Sequence, residues 1–177
     1  MRAHENPFRI SRTQSLRFRG AVSLDQLVAR LATHGYRGAI VGPEGSGKTT
    51  LLRELEAELA AAGLSTKLLR FDDVALLRPL NRQTILMIDG AEKLPWLIHA
   101  VLALTTARLV VTAHGRREGV PILVEAAANP AIMEELLIEL AGRDPALVAR
   151  AKLLFQEKRG NVRQVFSALY DVLAAGS

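Results

Sequence analysis

Gly42-Pro43-Glu44-Gly45-Ser46-Gly47-Lys48-Thr49 decides the reading of this chain. Ahead of it, Ala39-Ile40-Val41 has the character of a buried strand. Behind it, Thr50 to Leu59 is rich in helix formers. Glycines between a strand and a helix let successive backbone N–H groups turn inward and cradle an anion. The helix N-terminus adds a partial positive charge at the same place. The spacing is G-x-x-x-x-G-K-[ST]. It predicts phosphate binding by Gly42 to Thr50, with Lys48 reaching the β- and γ-phosphates and the Thr49 hydroxyl ligating Mg²⁺.

Working outward, Thr84-Ile85-Leu86-Met87-Ile88-Asp89 is an apolar run ending in an acid. Such a run suits a strand buried on both faces of a parallel sheet. An acid at its carboxyl end falls where open α/β sheets bind ligands, so Asp89 is the second metal-side residue, in the Walker B pattern.

The remaining pattern alternates strands with helices. Ser23 and Gln26 make a capping box for a helix to about Thr33, with Leu24, Leu27, Val28 and Leu31 as its apolar stripe. Residues 65–71, 108–112 and 121–124 read as further strands. A short helix is predicted from Asp72-Asp73 to about Arg78, and another over Leu94, Trp96, Leu97, Val101 and Leu102, with Pro95 in its first turn or marking a break. Asn129-Pro130 and Asp144-Pro145 each place a capping side chain before a Pro at N1, opening helices to about Ala141 and Lys158. Gly160 stops the second, and Asn161 opens the last. The expected fold is α/β: a three-layer sandwich around a parallel sheet of about five strands. The expected organisation is a basic arm over 1–21, a core over 22–128, and a small C-terminal helical lid over 129–177 packed on that core.

Composition sets the bounds. A chain of 177 residues with 49% hydrophobic residues suits one domain with a sizeable core. There is no cysteine, which excludes disulfides, thiolate catalysis and zinc–thiolate sites. The first residues have no apolar h-region and no stretch is long enough to span a bilayer, so a soluble cytoplasmic protein without membrane contact is expected. The net charge is +5, and Arg2, Arg9, Arg12, Arg17 and Arg19 stand against Glu5 alone at the N-terminus. Such an arm suits nucleic acid or an acidic protein surface, or is simply a solvated segment wrapping the domain. Phe8, Ile10, Leu16 and Phe18 between the arginines predict that part of it docks.

On the loop and on Ile85 to Asp89, the chain resembles the P-loop NTPases, and within them the additional-strand group that includes the AAA+-like ATPases. It also resembles small bacterial ATP-binding proteins that have no assigned function. The resemblance implies ATP and Mg²⁺ as cofactors; no N-K-x-D guanine-reading motif is present. It implies a sensor-1 role for Thr112 or His114 in Leu109-Val110-Val111-Thr112-Ala113-His114, and a sensor-2 role for Arg163 in Gly160-Asn161-Val162-Arg163. Arg116 or Arg117 matches the place of a trans-acting arginine finger, or makes an ordinary basic turn, so a homo-oligomer is one possible state. The chain departs from the pattern at Gly90, where many relatives carry the catalytic Glu. The next acid, Glu92, takes the candidacy for general base, with Glu44 behind it. The expected function is a Mg-ATP-binding ATPase, slow or partner-activated, or a nucleotide-dependent switch acting on a protein or nucleic-acid partner. The alternatives are a small-molecule kinase, with Arg116, Arg117 and Arg143 as candidate lid residues, and a non-enzymatic adaptor that nucleotide stabilises.

Overall fold

The computed structural model describes residues 5–76, 81–95, 108–116 and 119–175. Two compact units emerge, one of Ala21–Gly42 and Lys48–Ala126, the other of Met1–Gly20, Pro43–Gly47 and Ala127–Ser177.

The first unit is built on a sheet. Its helices α2 (Leu24–Thr33) and α3 (Lys48–Ala61) accompany five strands: β1 (Arg37–Val41), β2 (Thr66–Arg70), β3 (Ile85–Asp89), β4 (Leu109–Ala113) and β5 (Ile122–Glu125). The strands run parallel in the order β2-β3-β4-β1-β5. The architecture is therefore α/β with one parallel sheet and helices on it, compatible with three layers. Parallel pairing demands crossovers, and crossovers bury both faces, which is why β3 and β4 read as unbroken apolar runs. Alternation sorts their side chains. Ala39, Val41, Leu86, Ile88, Leu109 and Val111 share one cluster with Ala91 and Leu94. Ile40, Met87 and Val110, on the intervening positions, are fully buried too. At the β1–β5 pairing, a side chain at Gly38 would come within 2.2 Å of Leu123, so the glycine admits that leucine to the core. The expected capping box of α2 is present: Ser23 Oγ accepts from Gln26 N–H, and Gln26 Oε1 accepts from Ser23 N–H.

The second unit is helical, with α1 (Ile10–Thr13), α4 (Pro130–Ala141), α5 (Pro145–Glu157) and α6 (Val162–Ala175). Met133, Leu137, Phe155, Val165, Phe166 and Leu169 are among the residues of its core. The N-terminal segment is part of this unit, and, as its interleaved apolar residues predict, part of it docks. Phe8 is only 3% exposed and stacks on Phe166 with ring centroids 5.6 Å apart. Buried Asn6 donates from Nδ2 to the Tyr170 carbonyl at 3.0 Å and accepts the Phe8 N–H at 3.0 Å. Leu16 packs against the same core, whereas Ile10 is exposed, on the single turn of α1. Arg19 pairs with Glu139 at 2.8 Å and more loosely with Glu135. The hydrogen bond to Glu139 leads in raising its guanidinium pKa further above the usual value, so Arg19 stays charged at any working pH.

Two other expectations meet a limit or a change. The stretch from Asp72 forms a 3₁₀ helix, Phe71–Leu76, and Arg78 lies outside the described residues. After Asp89 comes a 3₁₀ turn, Ala91–Lys93, and Leu94 leaves it in extended conformation, as a residue before proline prefers. That conformation suits an N-cap before a proline at N1 as well as a break, so both alternatives for Pro95 stand. The rest of the helix expected over Trp96 to Leu102 lies outside the described residues. Among the described residues no helix is long and apolar enough to cross a membrane.

Candidate functional site

In the sheet unit the site forms at the carboxyl ends of β1, β3 and β4, where a parallel sheet presents strand ends to a ligand. Lys48 opens α3 with only 9% of its surface exposed, and its Nζ donates to the Gly42 carbonyl at 2.6 Å. The ammonium is thereby folded back to the start of its own loop. Thr49 follows in the first turn of α3. Its Oγ1 faces both carboxylate oxygens of Asp89, at 3.1 and 3.0 Å. Thr50, next in the helix, is half-buried.

Asp89 is held from a second side. Thr112 is 1% exposed, and its hydroxyl donates to Asp89 Oδ1 at 2.7 Å while accepting the Gly90 N–H at 2.7 Å. Thr112 thus works through Asp89: it fixes the carboxylate and the turn behind it. Gly90 has φ +79, and a β-carbon there would meet the Phe71 ring at 3.1 Å. The turn favours glycine, so an acid directly after Asp89 would be strained. The next acid, Glu92, stands in the 3₁₀ turn with its side chain 23% exposed and Oε1 3.6 Å from His114 Nε2. Its Oε2 is buried and has no hydrogen-bond partner among the described residues. Of the two sensor-1 candidates, Thr112 therefore belongs to Asp89 and His114 to Glu92.

The loop tip, Pro43–Gly47, belongs to the helical unit. Pro43 and Glu44 are exposed. Gly45 has φ +76, and a side chain there would lie 2.1 Å from Asn161 Oδ1 and 3.0 Å from Asn161 Cα. Asn161 is buried, and its Oδ1 accepts the Gln164 N–H as the N-cap of α6. The segment from Gly160 to Arg163 thus abuts the loop, and Arg163 is exposed in the first turn of the helix whose cap touches Gly45. The Phe18 ring lies 3.1 Å from where a side chain at Gly47 would begin. Ser46 is 7% exposed, with its Oγ buried and unpartnered among the described residues.

These residues fit a magnesium nucleotide. The metal side offers hard oxygen donors, a hydroxyl and a carboxylate in contact with each other. Mg²⁺ is ordinarily held by one or two carboxylates together with substrate phosphates and water. The Ser46 hydroxyl is a buried donor awaiting an acceptor, and an unmet buried polar atom calls for a reason.

Beside Thr49 and Asp89 opens a cavity of about 190 Å³, with Arg53, Arg70 and Asp73 among its lining residues. Arg116 and Arg143 are exposed, and Arg117 lies outside the described residues. Three contacts had no signal in the single sequence: Asn161 on Gly45, Phe18 on Gly47, and His114 beside Glu92. Each joins positions far apart in the chain. No protein-family profile matches this chain, and no curated protein sequence matches it significantly.

Proposed function

We propose that the chain is a P-loop NTPase of the additional-strand group that binds Mg-ATP and hydrolyses it slowly or on partner activation, serving as a switch on a protein or nucleic-acid partner. The observation that carries the reading is Thr49 facing Asp89 across a loop of the G-x-x-x-x-G-K-[ST] pattern. The strand order adds support, since β4 stands between the loop strand β1 and the acid strand β3, and such an inserted strand gives the group its name.

The roles follow from the chemistry. Backbone N–H groups of Gly42 to Thr50 and the Ser46 hydroxyl orient the phosphates. Lys48 supplies a positive charge that would leave the Gly42 carbonyl for a phosphate oxygen. Thr49 and Asp89 hold Mg²⁺, which when bound offsets charge on the β- and γ-phosphates. Thr112 holds Asp89, and Glu92 is the general base. Arg163, a cation at a helix N-terminus, sits against the helix dipole, a placement that an anionic ligand relieves. That segment reports nucleotide state to the partner.

The test is Mg-ATP binding and turnover by the wild type and Lys48→Ala, with and without double-stranded DNA. Wild-type binding that the substitution abolishes is expected. ATP affinity surviving in Lys48→Ala would remove the site assignment. DNA stimulation would identify the partner as nucleic acid.

A second reading has one observation in its favour. The cavity beside Asp89 carries two arginines, the chemistry for an anionic phosphate acceptor. Under that reading the protein is a small-molecule kinase, and turnover in buffer without any metabolite would count against it.

A further inference from the structure

We propose that His114 is a positioning residue for Glu92, and that the two together replace the acid absent at position 90. The inference rests on the ATPase reading above and names how this site activates water.

The backbone under Glu92 is fixed on all sides. Asp89 and Gly90 are tied to β4 through the Thr112 hydroxyl. The 3₁₀ turn closes with Lys93 N–H on the Gly90 carbonyl at 3.0 Å and Leu94 N–H on the Ala91 carbonyl at 3.1 Å. Ala91, just before Glu92, and Leu94, two residues after it, are buried in the sheet's core. The side chain therefore departs from a rigid point, three residues beyond the metal-side acid. His114 departs from another, one residue past the end of β4, the strand paired with β3. The two side chains meet at 3.6 Å through Oε1 and Nε2. That separation is longer than a hydrogen bond and suits a contact through one water.

The two oxygens of Glu92 are unlike. Oε1 faces His114, while Oε2 is buried without a partner among the described residues. An unpartnered carboxylate oxygen inside a protein is costly, and such groups persist where the working state supplies a donor. The donor that chemistry requires here is a water. Glu92 Oε2 accepts one proton of that water as its oxygen bonds to the γ-phosphorus. The bond from that phosphorus to the bridging oxygen breaks, its electron pair leaves on the diphosphate, and Glu92 passes the proton to the released phosphate. Asp89 is engaged by Thr49 and Thr112, whereas Glu92 keeps a buried oxygen with no partner among the described residues.

The experiment measures ATP binding, single-turnover hydrolysis and thermal stability for the wild type, Glu92→Gln, His114→Ala and His114→Asn. Loss of a general base lowers the chemical rate by about 10²- to 10⁴-fold, and that is the result expected for Glu92→Gln, with ATP affinity unchanged and melting temperature held or raised. His114→Ala should lower kcat by roughly ten- to a hundredfold at unchanged ATP affinity, as a misplaced reacting group does. His114→Asn, which restores a donor, should recover part of that loss. A merely structural histidine would move stability and leave the split between binding and rate unaltered. Full turnover in Glu92→Gln would overturn the proposal, as would normal turnover in His114→Ala beside a dead Glu92→Gln, or a wild type that binds Mg-ATP without cleaving it. Failure of the wild type to bind ATP at all would instead sink the ATPase reading.

Discussion

Thr112 shows how much one hydroxyl can carry. Its donor goes to Asp89 and it accepts from Gly90, both at 2.7 Å, in a position that is almost wholly buried. Valine has the same shape without the oxygen. Thr112→Val should cost about 1–3 kcal/mol, since it leaves the Gly90 N–H and one carboxylate oxygen short of a partner. Urea unfolding measures this, and Thr112→Ser should restore most of it. Mg²⁺-dependent nucleotide affinity should fall in parallel; a variant of unchanged stability and affinity would show that the carboxylate needs no such anchor. The loop glycines make a sharper contrast. Gly45→Ala meets the Asn161 backbone and also adopts a left-handed φ, whereas Gly63→Ala has the same strain with no atom within 4 Å. The first should abolish nucleotide binding, the second should cost only the left-handed backbone strain, about 1–2 kcal/mol of stability. Equal binding by the two would show that loop packing on Asn161 is immaterial. Lys48, Thr49 and Asp89 were legible in the sequence because the loop spacing and an acid-ended strand are local patterns. Asn161, Phe18 and the His114–Glu92 pair were not, because only the tertiary fold brings those positions together.

At the scale of elements, legibility follows from how local the determining physics is. Caps are the most local, and the structure places them as expected. Asn129 Oδ1 accepts from Ile132 N–H at 2.8 Å, and Asp144 Oδ1 from Ala146 N–H at 2.9 Å. Asn129→Ala should therefore cost about 1 kcal/mol, measured as a shift in the urea midpoint with an unchanged slope. No shift would mean that packing alone holds the start of α4. The buried face of that helix is worth more: Leu137→Ala should cost about 2–5 kcal/mol, since Leu137 is fully buried in the helical core. The stretch from Asp72 was harder to read. Acids after a strand are equally compatible with α and 3₁₀ turns, and the choice fell to 3₁₀. Pro95 was ambiguous for a related reason. A proline serves a first helical turn or a break, and an extended residue before it, as at Leu94, is compatible with both.

At the scale of the molecule, alternating strands and helices predicted a parallel sheet but could not order it. Only pairing shows that β4 lies between β1 and β3, because each crossover could in principle return to either side. In the N-terminal segment, charged and apolar residues are interleaved. Its arginines dominate the sequence, yet its buried residues tie it to the helical core. Removing residues 1–20 would remove Phe8 and Asn6, and loss of DNA binding on that deletion would confuse unfolding with lost charge. The two effects separate by substitution. Phe8→Ala should destabilise the protein by about 3–5 kcal/mol, the usual cost of deleting a buried aromatic ring. Arg12 and Arg17 are exposed, so the double change to Ser should alter stability by no more than about 0.5 kcal/mol each. If the segment meets a nucleic-acid backbone, that double variant should bind duplex DNA more weakly. The slope of log affinity against log salt should drop by about two, near one for each phosphate no longer neutralised. Arg19 serves as the internal control, because its charge already faces Glu135 and Glu139. A salt slope indifferent to Arg12 and Arg17 would assign this basic segment to the fold, and a partner, if one exists, would be sought at the carboxyl ends of the sheet.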